Sequence, residues 1–116
     1  MNFQSILLGA LFLLMAHIIV FFQINGQFLW KWFSNNELKV ALIGTPISLL
    51  FLWGTKHIVE GFNGELWPGR FIGFGLGMII YALLLHYFFN EGINAKTAIS
   101  LLLSTALVLI QILWKN

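Results

Sequence analysis

The chain contains no cysteine and no aspartate, and its charged residues make up only 9% of 116 positions. The missing cysteine excludes disulfides, thiol nucleophiles and thiolate metal sites. Six Lys/Arg and four Glu are too few to coat a water-soluble globule of this length, since soluble domains carry about 25% charged residues. The net charge of +2 is a small difference between small numbers, so the basic balance does not point to nucleic acid. Paired carboxylates, a Ser-His-Asp set and an H-E-x-x-H motif are all missing, and nothing argues for an enzyme or a bound metal. Only two prolines interrupt the chain, Pro46 and Pro68.

What is present is apolar: 59% hydrophobic residues, with twelve Phe and five Trp. They gather into four runs, Ile6–Phe22, Val40–Trp53, Phe71–Phe89 and Thr97–Trp114. At about 1.5 Å per residue, such runs match the hydrocarbon thickness of a bilayer. Backbone amides cannot face lipid unpaired, which makes each run a helix. The expectation is an all-α membrane protein, one integral domain over 1–116. Its four transmembrane helices, about 4–24, 38–56, 70–90 and 96–114, form a compact bundle in the lipid bilayer of a cell or inner membrane. MNFQS lacks the basic start of a secretory leader, so the first helix is read as part of the mature protein.

The connections carry interface signals. Trp30 and Trp32 flank Lys31, as in a membrane-interface belt. Asn35 or Asn36 suits the cap of the second helix, and Asn63-Gly64 marks a turn. Lys56 and Glu60 stand four apart, so the second helix is able to run on toward Phe62; with His57 they read as a solvated cluster at the membrane edge. Pro46 removes a backbone donor and bends the second helix.

The segment WPGRFIGFGLGMII places Gly69, Gly73, Gly75 and Gly77 within nine residues. The order is not that of a dinucleotide site, and no strand precedes it. Gly69, Gly73 and Gly77 fall on one helical face, which Tyr81 extends. Gly75 lies on the opposite face, with Ile79, Ala82 and His86 after it. Close helix packing on two faces accounts for all four glycines, because helices in lipid associate through small residues. The second helix has its own small or polar stripe at Gly44, Ser48 and Thr55, and the fourth at Thr97, Ser100, Ser104 and Gln111.

His17 and His86 are the titratable groups, besides tyrosine, well inside the apolar runs. Both are expected at similar depth near one surface, with Tyr81 as a further candidate for a solute site. Three readings stay open for the histidines: hydrogen-bonding glue between helices, a solute or proton site, and axial ligation of a haem. No cofactor is required by the sequence.

From Tyr81 onward, YALLLHYFFNEGINAKTAISLLLSTALVLIQILW resembles the closing helix pair of the drug/metabolite transporter superfamily. The aromatic run into Glu91-Gly92 and the small-residue-rich last helix carry the likeness. The four-helix length is similar to the single-repeat branch, the small multidrug resistance proteins. That resemblance implies a small transporter working as a homodimer. The branch works through a glutamate in its first helix. Here no acid precedes Glu37; His17 stands near that position, and Ser100 and Ser104 occupy the place of the dimer-forming glycines. The competing expectation is a non-catalytic accessory subunit of a larger membrane complex. Four crossings put Lys56, Arg70 and Lys115 on one side and Lys31, Lys39 and Lys96 on the other. Without a positive-inside bias, two expectations stay open: insertion in both orientations, or a single orientation fixed by the first helix or a partner.

Overall fold

A computed structural model describes residues 1–114; Lys115, one of the charges used in reading orientation, lies outside the described residues. Four helical spans are long and apolar enough to cross a membrane: 3–28, Glu37–Gly61, Trp67–Phe89 and Ala95–Leu113. No strand occurs among the described residues. The protein is an all-α, multi-pass membrane protein.

Helix α1 (Phe3–Asn25) starts where the Asn2 side chain accepts from the Ser5 amide, and a 3₁₀ turn at Gly26–Phe28 extends it. The connection then folds back through a short helix α2 (Lys31–Asn35), which the sequence did not announce. Its Phe33 ring lies so close over Gly26 that a Cβ there would stand 2.6 Å from it. Trp30 packs on both Phe22 and Phe33. This aromatic knot sits where an interface belt is expected.

The second span is not one continuous helix. It divides into α3 (Glu37–Leu42) and α4 (Gly44–Gly61), with the break at Ile43, three residues before Pro46. The proline sits in the first turn of α4, where a missing amide costs little. At the end of α3 the Ile43 N–H donates to Val40 O at 3.0 Å, and Gln23 of α1 adds a second donor there: its Nε2 lies 3.3 Å from Val40 O and 3.5 Å from Ala41 O. A neighbouring side chain thus meets the polar groups that lipid cannot. At its far end α4 runs on to Gly61, as the Lys56/Glu60 spacing suggested.

Helix α5 (Trp67–Phe89) begins at the Trp67-Pro68-Gly69 segment, where the sequence signals a helix start, with Pro68 in the first turn, and ends on Asn90 in the left-handed conformation. The turn before it uses two positive φ values, Asn63 at 59° and Gly64 at 91°, as the Asn-Gly pair foretold. Helix α6 (Ala95–Leu113) is capped by the Asn94 side chain, which accepts from the Thr97 amide at 2.8 Å.

Helix α1 lies between α4 and α5, and α6 packs on α5. The bundle is flattened, 49 × 36 × 18 Å. The α1–α4 seam is antiparallel and built like a zipper. Ile6, Gly9, Leu13 and Ala16 on α1 face Ile47, Gly54, Ile58 and Gly61 on α4, all buried. Their spacing is that of interlocking helices, here with glycine or alanine at alternate positions. Asn2 N–H donates to Gly61 O at 2.7 Å and closes one end. The buried core of Ile6, Leu13, Ile58, Phe62 and Ile72 fills that half of the bundle. The opposite half is aromatic, with Phe21 against Tyr81 and Phe89 and Phe22 against Phe88.

Candidate functional site

The polar centre of the bundle is His17. Helices α1 and α5 run parallel in a fixed register, Leu13 on Gly73, His17 on Gly77 and Phe21 on Tyr81. Because Gly77 has no side chain, the imidazole lies flat against the α5 backbone. A Cβ at Gly77 would stand 2.6 Å from its Cε1 and 2.9 Å from its Nδ1. Phe51 of α4 meets the ring edge-on, with centroids 5.2 Å apart and planes at 83°. The backbone of Gly73 lies beside it. Nε2 is buried and has no hydrogen-bond partner. The group is therefore wedged among three helices with one polar atom unanswered.

Tyr81 does extend the Gly73–Gly77 face, yet its ring is 42% exposed and packs edge-on against Phe21 at 5.3 Å. His86 does not join His17. The expected common depth is corrected by the register: His17 sits at Gly77, and His86 lies nine residues further along α5. At about 1.5 Å per residue that is roughly 13 Å along the axis. The flanking aromatic runs misled because the ends of α1 and α5 are not level: Phe21 of α1 already packs on Tyr81, and α5 runs eight residues beyond Tyr81 to Phe89. Two histidines so separated cannot be the axial ligands of one haem. Among the described residues no cluster of three metal-ligating side chains occurs. His86 instead lines a cleft of about 440 Å³ between α5 and α6, with Ile79, Ala82, Leu83, Ile93, Leu101 and Thr105. A second, polar hollow of about 830 Å³ lies at the other end of the bundle, beside Met1, Phe62, Asn63, Glu65 and Gln111.

The four glycines of α5 divide into two kinds. Gly77 meets the His17 ring. Gly75, on the opposite face, meets α6, where a Cβ would run into Val108 and stand 2.7 Å from the Ser104 carbonyl. Gly69 and Gly73 have ordinary room, 3.6 Å to Ile58 and 3.8 Å to Leu13. Two faces are used as expected, but only two of the four positions demand glycine. Ser104 is buried, its hydroxyl donating to Ser100 O at 2.9 Å, whereas Ser100 is exposed and donates to Lys96 O. His57 leaves the expected charge cluster. Its Nδ1–H donates to the Trp53 carbonyl at 2.7 Å, and its ring packs on Phe12.

Close contacts also occur at Gly9, which the sequence places near Ala10, Leu13, Ala16 and His17 on a small-residue stripe of α1, and at Gly54 and Gly61 of α4, which were not singled out. A Cβ at Gly9 would stand 2.6 Å from the Gly54 carbonyl, and one at Gly61 would stand 2.9 Å from Asn2 O. The available signal was the seven-residue step from Ile47 to Gly54 to Gly61, which repeats one face of the helix. Gln23 was missed as well, because its partners exist only where α3 breaks.

Comparison with protein-family models, curated proteins and solved structures returns no match for this chain.

Proposed function

We propose that the chain is a transporter-like membrane protein for a small solute, working as a homodimer, with His17 at the polar centre of the path. The unanswered Nε2 of His17 carries this reading. Leaving a buried nitrogen unpaired costs about 1–3 kcal/mol, which a solute or water bound there would offset. Ionisable groups inside a membrane span are rare and are found along solute and proton paths. The flattened shape, 49 × 36 × 18 Å, supports the homodimer, since it leaves broad helix faces for a second copy to cover.

A second reading, an accessory subunit, draws support from α6. Ser104 is the buried residue of that helix, which leaves most of its length open to lipid or a partner. Reconstitution into vesicles separates the two. Osmotic swelling with urea, glycine and erythritol, and proton leak followed with internal pyranine, should exceed those of empty vesicles. His17→Leu should return both to the empty-vesicle level while dimerisation persists. Background flux for every probe, from a chain that cross-links only as a monomer, would favour the accessory subunit.

A further inference from the structure

We propose that the cleft between α5 and α6 is a binding site for a single-chain amphiphile with an acidic headgroup, a long-chain carboxylic acid. The two helices touch at one place and part at another along the same face of α5. At Gly75 they are in backbone contact with Ser104. From Ile79 through Ala82 and Leu83 to His86, that face stands away from Leu101 and Thr105 and leaves about 440 Å³. This volume is within the range of about 300–1,000 Å³ found for small-molecule sites. The glycine contact sets how deep the cleft goes, and the loop residue Ile93 borders its mouth.

The lining chooses the occupant. Five of its seven side chains are hydrocarbon, and Leu83 and Ile93 remain 63% and 54% exposed, so the cleft opens sideways to lipid rather than to water. The Thr105 hydroxyl already donates to Leu101 O at 3.0 Å. That leaves the His86 imidazole as the group able to read a headgroup. No acidic side chain lines the cleft to compete for it. His86 lies three residues before the end of α5, beside the exposed rings of Tyr87 and Phe88. Aromatic residues of that kind collect at the membrane interface, where a carboxylate also rests. A hydrogen bond from imidazole to carboxylate is of the strong, charge-assisted kind. The alkyl tail then runs along Ile79, Ala82 and Leu101 toward Gly75. This site is distinct from the His17 contact, and its occupancy does not depend on transport.

The test uses the full chain in phosphatidylcholine nanodiscs with a photoactivatable (diazirine) palmitic acid. Cross-links should concentrate on residues 79–105, and unlabelled palmitate should compete at least tenfold better than its methyl ester. Ala82→Phe, which fills the cleft, should abolish labelling there, and His86→Leu should remove the preference for the acid over the ester. Circular dichroism and gel filtration establish that both variants keep the parent fold; Ala82→Met serves if Ala82→Phe does not. Labelling spread evenly over α1 and α4, equal competition by acid and ester in the parent, or undiminished labelling in the cleft-filling variant would each overturn the proposal.

Discussion

Adding one methyl group at Gly9 tests the packing argument most directly. The new Cβ would stand 2.6 Å from the Gly54 carbonyl, 2.6 Å from Ile58 Cγ1 and 2.9 Å from the Ile58 amide nitrogen. Two of these three are backbone atoms of α4, so no side-chain rotation relieves the clash. Carbon contacts settle at about 3.5–4.0 Å, which requires α1 and α4 to part by roughly 1 Å. A gap of that size forfeits about a quarter to a half of the dispersion energy across a seam. Overpacking of this kind costs about 1–3 kcal/mol. The better helix propensity of alanine returns at most about 1 kcal/mol. Gly9→Ala should therefore lose about 1–2 kcal/mol. Gly73→Ala is the control, since its Cβ meets only Leu13 Cδ1 at 3.8 Å. There the propensity gain stands alone, and stability should hold or rise by about 0.5–1 kcal/mol. Reversible unfolding in mixed micelles, titrated with dodecyl sulfate and followed by circular dichroism, measures both. Equal losses at the two positions, or a tolerant Gly9, would refute the claim that the α1–α4 seam holds the bundle together.

Gln23→Leu should destabilise by about 1 kcal/mol, because it removes the second donor from the Val40 and Ala41 carbonyls and leaves them to the Ile43 N–H; Pro46→Ala in the same chain should recover part of the loss if the segment then closes into one helix, read by amide exchange at residues 43–46. His17→Leu should unfold no more easily than the parent, since it removes an unpaired nitrogen and keeps an apolar contact with Phe51; a loss above about 1 kcal/mol in the same titration would restore the bonding role. Gly75→Ala should detach α6 from α5, seen as a new protease-sensitive site in 90–94, because Val108 and the Ser104 carbonyl leave no room for a methyl. A reporter fused to the C-terminus should signal from both sides of the membrane, and one added Lys near either end should shift the ratio. A one-sided signal unmoved by that Lys means a fixed topology.

The class of the fold was legible in composition and run length alone. Four apolar stretches of bilayer length admit only helices, because lipid offers the backbone no hydrogen bonds. Local chemistry set the ends where it is self-contained: Asn94 caps α6, Asn63-Gly64 turns, and Pro68 opens α5. Registers were decided elsewhere. Whether a glycine is needed depends on the atom facing it, and sequence spacing does not name that atom. Gly73 and Gly77 share a face, yet one meets a flexible leucine tip at 3.8 Å and the other an imidazole at 2.6 Å. The two histidines looked level when measured from their own aromatic flanks. Only the parallel packing of α1 on α5 set them about nine residues apart along the bundle. Gln23 likewise acquired its role from carbonyls seventeen and eighteen residues away, beside a helix break, visible once α1 and the second span lie side by side. In lipid every helix is apolar all round, so periodicity says little about which face meets which neighbour. That choice rests on close backbone approach at a few small residues, a property of pairs of helices that one-dimensional spacing does not specify.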